Sequence, residues 1–290
     1  MANAQLTTAL PDKLRAAVRQ ASVRDAELRY VRTGSGRPVV LLHTLRTQLD
    51  MFGAVLERLD LTRIDAVAVD LPGHGHSGAP RVDYTAEYFS DTVEELLEHI
   101  DVQGALLVGE SIGGTIALSI AARGNDRVAG VIAVNPYDYG RWGGIRRSSP
   151  LANALFTAIM LPGIGALVAR AETRTILRAV LHGGLYDRSA LRSDLLEELF
   201  RCGSLPGHAR ALQSLCRAWR SFVAARAHYS EIAVPVTLVY GEDDWSRPHE
   251  RAANARAIPG VRVVRLERSG HFASLEQPEA IVGLISEAIR

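Results

Sequence analysis

Short apolar runs recur along the chain, at residues 39–43, 64–70, 104–108, 128–134, 236–240 and 261–266. They are rich in Val, Ile and Leu and show little polar alternation. That pattern belongs to strands buried on both faces, as in a parallel sheet. Between them, helical patterns lie over residues 49–59, 85–100, 111–123, 249–257 and 278–289. This alternation predicts an α/β fold: a mostly parallel central sheet flanked by helices and joined by right-handed crossovers. Residues 26–32, ahead of the Gly34-Ser35-Gly36 turn, would pair with 39–43 or with a neighbouring strand.

The alternation stops between about 136 and 232, where helices and loops follow without a convincing strand. A helical insertion at 136–232 is therefore predicted, with the core made of 23–135 and 233–290. At the N-terminus, Leu6, Leu10, Leu14 and Val18 are spaced as on one face of a helix, and Pro11 suits its start. Residues 1–22 are accordingly expected to form a helical extension, and no secretory leader pattern is present. Within the insertion, residues 148–169 carry no charge, a length that would span a bilayer. Pro162-Gly163 in the middle would break such a helix. The segment reads as two short apolar helices joined by a turn, without stable membrane insertion.

Composition narrows the classes. Of 290 residues, 47% are hydrophobic and 22% charged, as in an ordinary soluble globular chain. A formal net charge of +1 provides no field for nucleic acid or an anionic membrane. Lys13 is the only lysine among 33 basic residues, the bias of a GC-rich genome such as many bacteria have. The two cysteines, Cys202 and Cys216, lack metal-ligand spacing and are expected to be free thiols in a reducing cytoplasm.

One motif carries chemistry. Gly109-Glu110-Ser111-Ile112-Gly113 follows the apolar run 105–108 and leads into a helical pattern. Strand, Gly-x-Ser-x-Gly, helix is the context in which a sharp turn holds a serine hydroxyl out at the end of a sheet. A serine needs a base to take its proton. In this arrangement the acid and then the histidine come later in the chain. Here the run 236–240 leads into Gly241-Glu242-Asp243-Asp244-Trp245, and the run 261–266 leads into Ser269-Gly270-His271. Both groups would emerge at one edge of the sheet.

With these motifs in view, the chain resembles the capped serine hydrolases of the α/β-hydrolase fold superfamily. That group includes esterases, thioesterases, C–C hydrolases and haloperoxidases. The matching features run from about residue 30 to 290 outside the insertion. They include Leu42-His43, Asp70-Leu71-Pro72-Gly73-His74-Gly75-His76-Ser77, the serine turn, the passage from Gly241 to Pro248, and Gly270-His271 followed by Glu276 and Pro278. The resemblance implies Ser111 as nucleophile and His271 as general base. It puts the orienting acid at Asp244 in preference to Asp243. Asp138 would occupy the place where some relatives carry the acid instead. It also implies an oxyanion hole made by the backbone N–H groups of Leu45 and Ile112.

The family usually has His-Gly where this chain has His43-Thr44. Threonine resists backbone angles open to glycine. Either the loop is shaped differently, or the Thr44 hydroxyl adds a hydrogen bond at the site. Arg46 is expected to face solvent; turned to the pocket, it would hold a substrate carboxylate. His74 and His76 invite a metal reading, but the resemblance implies a structural turn and no metal. Arg141, Arg146 and Arg147 read as a solvated surface at the entrance of the insertion. The apolar run 151–161, with Phe156, would pack the insertion onto the sheet or line a hydrophobic acyl site, and Trp245 would also contact substrate.

Serine at the turn, where epoxide hydrolases and haloalkane dehalogenases carry aspartate, implies acyl chemistry. The expected activity is hydrolysis of a carboxylic ester or thioester of a small, largely hydrophobic acyl substrate through an acyl-enzyme. No metal or organic cofactor is expected, and no nucleic-acid partner; the chain would be a monomer or a homodimer. Its rate would rise with pH as the base loses its proton. Two other readings are a C–C hydrolase of a diketone-like ring-fission product, for which Arg46 belongs in the pocket, and a non-catalytic ligand-binding relative.

Overall fold

The computed structural model describes residues 8–140 and 144–290. Eight strands form one sheet: β1 (Val18–Val23), β2 (Ala26–Gly34), β3 (Arg37–Leu42), β4 (Ile64–Val69), β5 (Ala105–Glu110), β6 (Val128–Val134), β7 (Val236–Gly241) and β8 (Arg262–Leu266). Their order is β1-β2-β4-β3-β5-β6-β7-β8. From β4 to β8 every pairing is parallel, as the unalternating apolar runs predict. Residues 26–32 settle against β4 and β1, both antiparallel, and not against β3.

Strands β3 to β7 are largely buried on both faces because successive residues of one strand feed opposite cores. Residues 261–266, expected to be buried likewise, form the edge strand β8 and are mostly exposed, since among the described residues no strand pairs beyond that edge. Val40 and Leu42 of β3 pack with Val67, Leu107, Leu96 and Ile116. Val39 and Leu41 pack with Ala66, Val108, Phe52, Leu56, Ile281 and Ile285. Helices Ala86–His99 and Ile112–Ala122 thus cover one face, and Gly53–Arg58 and Pro278–Ala288 the other. The period-2 geometry of a strand makes this split automatic.

The helical extension at 1–22 needs correction. Leu6 lies outside the described residues. Helix is confined to Asp12–Arg15, and Val18–Val23 is the edge strand. Its burial alternates, with Ala21 and Val23 inside and Gln20 and Ser22 outside, so a period of two prevails over the four-residue spacing. The strand turns back through Arg24, in the left-handed region at φ 54°, to pair Val23 with Ala26. Leu10 and Leu14 are buried all the same, in the core beside Phe52 and Leu56.

Between β6 and β7 the described residues form helices and turns with no strand. The uncharged segment divides into Pro150–Ile159 and Gly165–Arg170. Ser149 caps the first through Ala152 N–H (3.1 Å), and Gly163, at φ 78°, occupies the break. Among the described residues no helix is long and apolar enough to cross a membrane.

Candidate active site

The turn after β5 holds Ser111 at φ 57°, ψ −114°, a conformation that costs a non-glycine residue energy. Its neighbours compensate by being small. A Cβ on Gly109 would lie 2.1 Å from the Gly113 carbonyl, and one on Gly113 would lie 2.2 Å from the Leu42 carbonyl. Strand, helix and the end of β3 approach so closely only because both positions are glycine. The turn is pinned by Ser111 N–H to Val134 O (2.8 Å), and the Ser111 carbonyl accepts from Tyr137 N–H (3.1 Å).

His271 follows β8, and its Nδ1 lies 2.5 Å from Asp244 Oδ1. Both side chains are almost fully buried. Burial alone would raise the Asp244 pKa, but the hydrogen bonds from His271 and Ser246 outweigh it and hold the carboxyl below its ordinary range. An ionised acceptor places the imidazole proton on Nδ1 and leaves the Nε2 lone pair available. Ser246 N–H (2.8 Å) and Oγ both donate to Asp244 Oδ2, and Arg251 donates to Ser246 Oγ (2.9 Å). Asp243 is exposed. Asp138 is buried in a separate network, accepting from Tyr229 Oη (3.0 Å) and Asn254 Nδ2 (2.7 Å), and burial lifts it to about 6. Of the three acids weighed from the sequence, Asp244 is the one bonded to His271.

Ser111, His271, Thr44, Leu45 and Ile112 meet at one cavity of about 650 Å³, open mouth included. Its walls are mostly apolar and come largely from the insertion: Phe156, Met160, Leu215, Trp219 and Phe222, with Trp245 and Phe272 from the core. Trp245 stacks on the His271 ring, centroids 4.0 Å apart, and donates from Nε1 to Gly183 O (3.1 Å). Among the described residues, neither the Leu45 nor the Ile112 amide finds a protein acceptor. Phe156, Thr44 and Trp245 line the cavity.

The loop carrying Leu45 differs from expectation in where its strain lies. Thr44 does not take the left-handed region; Arg46 does, at φ 63°. Thr44 therefore needs no glycine, and its carbonyl is clamped by His43 Nδ1 (2.8 Å), Thr47 N–H (3.2 Å) and Thr47 Oγ1 (2.8 Å). His43 Nε2 accepts from Leu71 N–H (2.9 Å), so its proton sits on Nδ1. Burial lowers the His43 pKa to about 4 and keeps the ring neutral.

Both expectations for Arg46 are overturned. It is not a solvent-facing side chain, nor does it line the cavity; it is largely buried and donates to Glu172 of the insertion. Arg147 is not a solvated cation either. It chelates both oxygens of Glu250 (2.7 and 2.8 Å) and donates to the Trp245 carbonyl (2.9 Å). Arg146 bonds Asn153 and Thr157 and reaches the cavity wall, and Arg141 lies outside the described residues.

His74 and His76 part company. His74 bonds the Pro72 carbonyl (3.1 Å) and packs on His43. His76 meets Glu198 (2.8 Å), whose donor atoms with Cys202 lie within 4.8 Å of one another. Arg201 donates to that same Glu198 oxygen (2.6 Å), so a cation already answers the carboxylate. Cys202 and Cys216 are both free, and Cys216 lines the cavity.

Three groups escaped the sequence reading. Asn135, at φ 46° after β6, donates to the Gly270 (3.1 Å) and His271 (3.0 Å) carbonyls and accepts from Gly241 N–H (2.9 Å). Asn-Pro at a strand end was the available signal, since Asn tolerates this region. Glu110 accepts from Ser274 N–H (2.9 Å) and Oγ (2.6 Å), and burial pushes its pKa up to about 8. Gly184 of the insertion accepts from His271 N–H (2.6 Å), a contact without a local signal.

The family model for the alpha/beta hydrolase fold matches residues 37–278. An uncharacterised protein of Mycobacterium bovis is 27% identical over 268 residues, covering 87% of this chain and 75% of its own length. The pimeloyl-[acyl-carrier protein] methyl ester esterase of Neisseria meningitidis is 27% identical over 259 residues, covering 87% and 93%. Among solved structures, the enol-lactonase of Burkholderia xenovorans superposes with a TM-score of 0.74 at 24% identity, covering 93% and 99%. That last likeness is one of fold.

Proposed function

Since the chain belongs to the α/β-hydrolase fold family and is by that membership a hydrolase, we propose that it is a serine hydrolase of carboxylic esters or thioesters. The observation that carries this reading is one cavity shared by a strained serine and a histidine whose Nδ1 is held by a buried carboxylate. Ser111 Oγ attacks the substrate carbonyl carbon while His271 Nε2 takes its proton. The Leu45 and Ile112 amides receive the oxyanion. Asp244 keeps the imidazole in the working tautomer and stabilises its protonated form. Collapse expels the alcohol or thiol with the proton from His271 and leaves an acyl-Ser111 ester. Water deprotonated by His271 then releases the acid.

The insertion acts as a cap whose inner face selects the substrate. Its aromatic and aliphatic wall suits a small, largely hydrophobic acyl or alcohol group. The esterase relative supports the ester class. The C–C hydrolase reading loses its expected carboxylate partner, because Arg46 is engaged by Glu172 outside the cavity wall.

A panel of aryl esters and acyl thioesters, with fluorophosphonate labelling followed by mass spectrometry, tests the proposal. Ser111→Ala should abolish labelling and lower turnover by roughly a million-fold. Undiminished turnover in that variant would sink it.

A further inference from the structure

We propose that Glu172 is a positioning residue for the oxyanion donor at Leu45, acting through Arg46. The inference rests on the reading of Leu45 given above. The Thr44 carbonyl and the Leu45 N–H belong to one planar trans peptide and point in opposite directions. The three hydrogen bonds that clamp the Thr44 carbonyl therefore also aim the Leu45 N–H. They secure one side of the loop only.

The other side is Arg46, held at φ 63°, where an arginine has no intrinsic preference to stay. Relaxation of that residue would rotate the peptide joining it to Leu45. What opposes relaxation is the guanidinium. Its Nη2 donates to Glu172 Oε2, with the two side chains only 11% and 5% exposed. Its Nη1 lies against Gly203, where a Cβ would come within 2.7 Å of it. Glu172 stands between helices Gly165–Arg170 and Arg174–His182, so the insertion grips the core one residue beyond the donor. A charge pair with this little water around it is costly to break from one side. The insertion accordingly completes the oxyanion hole as well as covering it.

Glu172→Gln, nearly isosteric and neutral, tests this in two independent ways. Amide hydrogen exchange over residues 44–47 of the full chain should quicken by about fivefold or more, with the strands unchanged. For an aryl ester, kcat should fall about tenfold with KM within about twofold, short of the loss expected when a donor is removed outright. Affinity for an aryl trifluoromethyl ketone, which forms an oxyanion on Ser111, should fall in parallel. Arg46→Gln should reproduce the kcat loss, and the double variant should be no worse, because both remove one anchor. A rise in KM alone would mean a merely structural cap contact and overturn the inference, as would additive losses or unchanged exchange. Quickened exchange with kcat intact would overturn it by showing that Leu45 is not the donor. Absence of any Ser111 adduct in the unaltered enzyme would instead refute the serine reading, leaving exchange to decide the anchor.

Discussion

The turn at Ser111 and the loop at Leu45–Arg46 face the same cavity, and each holds a non-glycine residue in the left-handed region. They are stabilised in opposite ways. Ser111 is strained between Gly109 and Gly113, whose missing side chains let strand, helix and the β3 terminus close on it. Every part of that solution is within two residues or in the adjoining sheet. Arg46 has no such neighbours; its conformation is secured by a carboxylate 126 residues away. The comparison teaches that Ser111, the proposed nucleophile, is held chiefly by the core, with one hydrogen bond from Tyr137 of the insertion, whereas the loop of the proposed oxyanion donor is tied to the insertion through Arg46 and Glu172. His271 resembles the Leu45–Arg46 loop in this respect, since its N–H bonds Gly184 and its stacking partner Trp245 bonds Gly183.

The largest effect should come from Gly113→Ala, where the new Cβ meets the Leu42 and His43 carbonyls. It should destabilise the fold by about 3 kcal/mol or more in urea melts and nearly abolish turnover, because backbone cannot step aside as a flexible side chain does. A stable, active variant would show the turn to be less tightly packed than the comparison requires.

Thr44→Gly should matter far less. Thr44 lacks the left-handed angle that would make glycine an improvement, and its carbonyl, not its side chain, is clamped. A loss of about 0.5–1 kcal/mol from backbone entropy and a kcat within about threefold are expected. A gain of stability would move the strain from Arg46 back to Thr44.

The smallest effect on turnover belongs to Glu110→Gln. Glu110 straps the serine turn to the segment after His271, and burial raises its pKa from 4.5 to about 8. Near neutral pH it is an uncharged acid, so the amide should leave kcat almost unchanged. The unfolded chain loses this proton above about pH 4.5 while the folded chain keeps it until about pH 8. Folded protein therefore binds more protons in that window, and stability falls as pH rises through it. The variant should lose that part of the slope, read as the difference in unfolding free energy between the two proteins from pH 5 to 8. Parallel curves would mean that Glu110 is ionised in the fold.

Much of the site was legible because its determinants are local or ordered along the chain. Unalternating apolar runs announced the strands of the parallel sheet, though at residues 261–266 the same composition belongs to an exposed edge. The two glycines around Ser111 announced a turn that only small residues permit. The acid and the histidine were readable because each directly follows a strand of a parallel sheet, which brings both to one edge. Asn135 and Glu110 were less legible, for their roles depend on which neighbouring strand end lies beside them. The N-terminal segment misled, because a four-residue spacing of leucines coexists with a two-residue alternation that the sheet edge selects.

By itself, then, the sequence determined the parallel core, the sharp turn at Ser111 and the order of serine, acid and histidine, since steric and periodic rules act between near neighbours. Only the tertiary structure decided that Trp245 lies on the His271 ring and that Arg46 turns from the cavity to Glu172. Those outcomes depend on how the helical insertion lies over the sheet edge. A charged or aromatic side chain satisfies whichever partner that packing brings within a few ångströms, and no local rule names the partner in advance.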